Sequence, residues 1–273
     1  MLERPEQFTI NRNSSLSQGL VFAGLGGFGA AGSLIYPDAS GFNNHGTLTN
    51  MDPPTDWMWV PELGRWGLDL DNSNDYVLLP GSSIVGPGNL TFAAWMKSTQ
   101  TGNDEWIISE GGSTAFVGLC LGVGLVRGSV RNDASSTVNN QQVTAYLNDG
   151  NWHHLAMTIN NGYLECFGDG QSTGAAVAIP SLPITLVNAA VGCLYRSTPS
   201  NYFGGSLADI LKFNRALAPA EIQQLADPSN VLLSGLIQPP RRRLFAVSGG
   251  VTPPAFKAAW AIRRHQTIGS GVI

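Results

Sequence analysis

Charge is scarce in this 273-residue sequence: Asp, Glu, Lys and Arg together make up 12% of it, about half the share usual for a soluble domain. That is not the profile of a helix bundle. Cysteine is rarer still, and Cys120, Cys166 and Cys193 lie far apart in GLCLGV, LECFG and VGCLY, with no CxxC or other zinc spacing. They read as buried structural thiols that pack as small hydrophobes. No run of about 20 apolar residues exists to span a membrane, since LVFAGLGGFGAAGSLIY is broken by glycines. The opening MLERPEQFTINRNSS has no apolar core behind a basic start, so no secretory signal is visible and synthesis in the cytoplasm is expected.

Acid is missing altogether from Val231 to Ile273, where six of the 15 basic residues lie. The first 230 residues hold nine bases against 19 acids, a net charge of −10, and the tail carries +6. An acidic body repels nucleic acid and anionic membranes. The tail also holds Pro pairs at 239–240 and 253–254 and no regular period, so residues 231–273 read as an extended arm. Its apolar residues need a surface to cover, and its arginines suit carboxylates on a protein.

Glycine (33) and proline (16) are plentiful, and period-two alternation recurs between them. In LTFAAWMK, Leu90, Phe92, Ala94 and Met96 share one face; in WHHLAMTI, Leu155, Met157 and Ile159 do. NDG, NNG and GDG mark turns at roughly ten-residue spacing, and Asp169-Gly170 is a pair suited to positive φ in a hairpin. An antiparallel sandwich follows, with one short helix at PAEIQQLA, where Pro219 sits in the first turn and Glu221 favours the dipole.

Four segments in order resemble the laminin-G-like and pentraxin-like jelly rolls of the concanavalin A superfamily. They are the loop from Asp38 to Gly46 (DASGFNNHG), LDLDNSNDYVLLP, DGNWHHLAMTINNGYLECFGDG, and GSLADILKFNRALAPAEI. Ala218 stands where the family often has a capping Ser, and Leu70 and Asn72 replace its Phe and Gly. The resemblance implies an all-β, two-sheet antiparallel jelly-roll sandwich over residues 17–230, between an N-terminal segment (1–16) and the arm (231–273). It also implies a calcium ion, with Asp38 and Asp209 at the family's acidic positions and Asn43 beside them. The alternative is that Asp38 and Asn43 only make turn bonds.

Catalysis is not expected. Glycosidases place two carboxylates about the scissile bond, whereas Glu105 and Glu110 are five apart, which puts them on opposite faces of a regular strand. His153 and His154 likewise point apart and cannot chelate one ion, and His154 is expected to be hydrogen-bonded within the sheet. Trp57, Trp59, Trp66 and Trp106 lie in loop-like sequence, where they serve either as a sugar platform or as plugs at the ends of the sandwich. The closing IRRHQTIGSGVI resembles the end of LamG-like proteins of tailed phages. The expected role is therefore a non-enzymatic virion protein, a capsid decoration, fibre or related component. Its arm would dock on capsid or neighbouring subunits through Arg241, Arg242, Arg243, Phe256, Trp260, Arg263 and Arg264, or self-associate, and its jelly roll would be free for cell-surface glycans. The alternative is a lectin-like module of an extracellular protein.

Overall fold

Strands with one apolar face each need a second apolar layer, and here two antiparallel sheets supply it to one another. The computed structural model describes residues 9–25, 33–81, 88–102, 104–141, 146–229 and 235–238. The first sheet runs through Gln171–Ser172, Tyr163–Gly168, His153–Asn160, Leu90–Lys97, Gly204–Phe213, Arg65–Asp71 and Trp57–Val60, with Leu20–Gly24 also paired to 204–213. The second runs through Thr137–Gln141, Leu125–Arg131, Phe116–Gly122, Glu105–Gly111, Asn188–Val191, Tyr76–Leu79, Gly46–Thr49 and Ile35–Tyr36.

The alternation sorts the core as expected. Leu90, Phe92, Ala94, Met96, Leu155, Met157 and Ile159 enter one interior cluster with Val117, Leu119, Leu121, Val77 and Leu79 of the other sheet. Asn161 and Gly162 (φ 50° and 82°) turn the His153–Asn160 strand into Tyr163–Gly168, and Asp169 and Gly170 (φ 47° and 78°) make the next turn. Such paired positive φ values match the twist of a two-residue hairpin. All three cysteines are buried and free.

The outer face of the first sheet is covered as well. Ala93, Ala156, Phe167, Leu211 and Phe213 pack under Leu16, Leu20, the helix Pro219–Leu225 through Ile222 and Leu225, and Leu236 with Ile237. The helix starts without a capping side chain at Ala218. Glu221 reaches back instead, accepting from the Ala218 N–H at 2.9 Å and pairing with Arg215 at 2.7 Å.

Residues near both ends of the described chain meet. Thr9–Ile10 pairs with Ile237–Gln238, and Ile10, Leu236 and Ile237 are buried, so these residues pack with the sandwich. The compact unit is residues 1–240. The remaining 241–273, with Arg241, Arg242, Arg243, Phe256, Trp260, Arg263 and Arg264, lies outside the described residues.

Strand parity fails within Glu105–Gly111. Leu119 pairs with Ile108 but Cys120 with Trp106, so Ile107 is an extra residue in a β-bulge. Residues directly opposite on neighbouring strands share a face. Glu105 lies opposite Leu121 and Glu110 opposite Val117, both interior residues. The two glutamates therefore face the same way, contrary to the simple count. A second irregularity, between Ala208 and Leu211, leaves Asp209 at φ 49° and turns Lys212 inward over the Phe92 ring, where it meets Glu110 of the other sheet.

Candidate functional site

One end of the sandwich carries a polar cleft built where strands stop. The Arg65–Asp71 strand ends there at Asp71, Leu90–Lys97 ends at Lys97, and Gly204–Phe213 and Glu105–Gly111 begin there. The register aligns these ends, with Gly204 opposite Asp71 and Ser206 opposite Lys97. The cleft has two adjoining parts. One, of about 240 Å³, is lined by Asp71, Asn72, Lys97, Ser98, Gln100 and Gly204 among others. The other, of about 290 Å³, is lined by Asn72, Gln100, Gly102, Asp104, Glu105, Asn201 and Tyr202.

Local structure fixes these groups. Asn72 and Asn201 take left-handed backbone (φ 61° and 52°), which Asn tolerates better than most residues. A Cβ on Gly205 (φ 129°) would come within 2.2 Å of the Lys97 carbonyl, and one on Gly204 within 2.6 Å of Asn72, so this rim is closed to larger residues. Ser98 Oγ donates to Glu105 (3.0 Å) or to the Gly204 carbonyl (2.8 Å), and Arg127 pairs with Asp104 at 2.5 Å. Tyr76 makes ring contacts with Tyr195 (6.0 Å) and Tyr202 (6.3 Å).

The carboxyl groups differ by environment. Burial pushes Glu105 up to about 7 against the hydrogen bonds from Ser98 and Gly204. Burial, then the charge of Asp71, raises Asp75 to about 6. Asp71 is lowered: burial works against its charge, but the N–H groups of Ser73, Asn74 and Asp75 outweigh it. Amides, carboxyls and a half-buried tyrosine thus converge on one concavity, an arrangement suited to ligands rich in hydroxyl groups.

The expected ligand residues fall elsewhere. Trp57 is 4% exposed and stacks on Tyr36 at 5.5 Å, and Trp106 is 3% exposed and meets Phe116 edge-on at 5.2 Å. Neither presents a ring to solvent, because Trp57 faces the interior and Trp106 is enclosed with Phe116, Cys120 and Leu194. Both act as plugs. Trp59, two residues on, remains 49% exposed beside Trp66 (5.9 Å) on the sheet's edge strand.

The expected calcium ligands do not fit an ion. Asp38 is buried, with Oδ1 accepting from the Ala23 and Ser40 N–H groups (2.9 and 2.8 Å) and Oδ2 from Ser40 Oγ and the Asn44 N–H (2.7 and 3.0 Å). Four donors use the lone pairs a cation would need. Asp209 pairs with Arg65 at 2.7 Å, both side chains 1% exposed, and burial raises it while Arg65 opposes that rise. Asn43, at φ 59°, is an exposed turn residue. Among the described residues, no cluster of three His, Cys, Asp or Glu is placed to hold a metal.

The histidines separate as expected, though not in detail. His153 bridges Asp149 (3.0 Å) and Asp169 (2.8 Å). His154 is buried edge-on to Trp95, with no hydrogen bond to its Nδ1, and burial lowers it to about 4. It is a neutral packing residue and not the hydrogen-bonded one expected.

Two facing antiparallel sheets define a jelly-roll sandwich. Residues 71–223, more than half of the sequence, match the family model described as "Concanavalin A-like lectin/glucanases superfamily" (Laminin_G_3), and the chain belongs to that family. No curated protein matches. Among solved structures, the chain is similar to the binding domain of Paraclostridial Mosquitocidal Protein 1, with a TM-score of 0.59 and 15% identity over 79% of this chain and 53% of that one. Domain 4 of AbnA, a GH43 extracellular arabinanase from Geobacillus stearothermophilus solved with arabinotriose, gives 0.59 and 17% over 76% and 98%. The binding domain of botulinum neurotoxin DC, solved with rat synaptotagmin II, gives 0.59 and 11% over 78% and 52%. The chain spans about half the length of these toxin domains and nearly all of the arabinanase domain. At such identities the likeness is one of fold. Among the described residues, no helix is long and apolar enough to cross a membrane.

Proposed function

We propose that this jelly roll is a non-enzymatic carbohydrate-binding domain that seats a saccharide in the cleft between Asn72, Gln100, Asn201, Tyr202 and Glu105. The observation that carries the reading is the convergence of three amide side chains, a tyrosine and a carboxyl on one concavity at the strand ends. Amides donate and accept at once, as neighbouring sugar hydroxyls require, and the Tyr202 ring offers an apolar wall for a sugar face. The arabinanase domain, of the same fold and nearly the same extent, was solved with an arabinose trisaccharide.

The bonds of two cleft carboxyls support the non-enzymatic reading. Asp104 is neutralised by Arg127, and Glu105 accepts from Ser98, so both are engaged within the protein. Glycan-array screening followed by calorimetry tests the reading. Tyr202→Ala and Gln100→Ala are expected to weaken the best ligand on the order of tenfold or more, with the fold retained by circular dichroism. Binding that survives both substitutions would refute this placement.

A second reading concerns context. Six bases and no acid after residue 230 favour docking of the chain's end on an acidic protein surface, as in a virion lattice where many copies act together. The domain would then present its cleft to host glycans from a capsid or fibre. Co-sedimentation with purified particles, lost when residues 241–273 are removed, is the expected result.

A further inference from the structure

The charges around the cleft bear on which saccharides it takes. Three carboxyl-bearing residues, Asp71, Asp104 and Glu105, line it, and Lys97 is the sole basic residue among the lining side chains. Asp75 stands buried directly behind Asp71, whose backbone N–H it accepts at 3.2 Å. Arg127, the partner of the cleft residue Asp104, has its Nη1 bound to that carboxylate and its Nε to Gln141, both at 2.5 Å. Two of its five donors, including the charge partner of Asp104, are therefore committed within the protein rather than to a ligand carboxylate or sulfate, for which paired guanidinium donors are the usual partner. Beyond the cleft, the whole sequence carries a formal net charge of −4, a sign that also opposes an approaching anion.

We infer that the cleft selects uncharged saccharides and rejects anionic ones such as uronates, sialosides and sulfated sugars. The inference rests on the reading of the cleft as a saccharide site and adds the ligand's charge class to it. Neutral hydroxyls find amide partners in Asn72, Gln100 and Asn201, while an acidic substituent meets Asp71 and Glu105, with Asp104 already paired to Arg127 and one lysine on the rim. Like charge across a binding surface works as a device against wrong ligands more than as a source of affinity.

The test uses matched oligosaccharides differing only in charge: a neutral galacto-oligosaccharide against oligogalacturonate of equal length, and a neutral glycan against its sialylated form. Calorimetry on the full chain at pH 7.5 in low salt should give the neutral member of a pair at least tenfold tighter binding, with the gap shrinking at high salt as charges are screened. Asp104→Asn, which removes a carboxylate and releases Arg127, should narrow the gap severalfold by improving binding of the anionic member. Equal or tighter binding of the anionic members by the wild-type chain would overturn the inference and leave the saccharide reading standing. Failure of every glycan on a broad array, neutral and anionic, would remove the saccharide reading and this inference with it.

Discussion

Lys212, on the first sheet, meets the carboxylate of Glu110, on the second, across the interior of the sandwich, with side-chain exposures of 4% and 1%. Taking two charges out of water costs several kcal/mol each, repaid only by close pairing. Removing one partner should therefore be worse than removing both. Lys212→Met is expected to destabilise the domain by about 3–5 kcal/mol, while Lys212→Met combined with Glu110→Leu recovers much of that loss. Urea unfolding of the two single variants and the double variant measures the difference, and strict additivity would show that the pair is not coupled.

His153 clamps two carboxylates, and the hydrogen bond it donates to Asp169 leads the causes that raise its pKa. Hydrogen bonds from Asn151 lead those that lower Asp149 to about 2, and Asp169 is lowered by His153 and the His154 N–H against its own burial. A raised histidine contributes stability that is complete below its unfolded value near 6.5 and is lost as pH rises through the folded value; the lowered aspartates contribute above about 3.9 and lose it as pH falls. The clamp is therefore at full strength between about pH 4.5 and 6. His153→Gln should reduce stability most in that window and least above pH 8.5, as thermal melts across pH would register. A difference between wild type and variant that stays constant with pH would refute the assignment.

Much of the fold was legible because a strand buried on one face writes its period into the sequence. Leu90 to Met96 and Leu155 to Ile159 did so, and the Asn-Gly and Asp-Gly pairs named their turns. The bulge at Ile107 was not legible, since one inserted residue leaves no mark in the composition and reverses every later assignment on its strand. Trp57 and Trp59 share a face and a pattern, and only the position of the opposite sheet decides which ring is covered. The cleft escaped for a different reason: Asn72, Gln100, Glu105 and Tyr202 come from segments up to 130 residues apart and meet only through strand register. Its one local signal was Gly204-Gly205 after Asn201-Tyr202, a stretch whose close approach excludes side chains.

Calcium is expected to leave this fold unchanged. Asp38 spends both oxygens on four protein donors and Asp209 is committed to Arg65. Millimolar calcium and excess chelator should therefore give the same melting temperature within about 1 °C, whereas a bound ion at 100 times its Kd would add about 2.7 kcal/mol. In contrast, Arg65→Ala should cost about 3–5 kcal/mol by leaving Asp209 buried without its cation. A calcium-dependent rise in melting would refute this account of Asp38 and Asp209.

Where the chain is cut decides what a truncation reports. Leu236 and Ile237 pack with Phe213, Ile222 and Leu225, and Ile237 pairs with Ile10, each buried side chain contributing about 1.5–3 kcal/mol. Ending the chain at Ser229 removes both and strips the partner from Thr9–Ile10, so that variant should melt well below the full chain. Ending it at Pro240 keeps the compact unit and removes all residues from Arg241 onward. Light scattering and particle co-sedimentation of the two variants beside the full chain then separate stability from assembly. If the 1–240 variant melts like the full chain but no longer multimerises or binds particles, residues 241–273 are the anchor. If it associates as the full chain does, the anchor lies on the sandwich and the basic segment has another task.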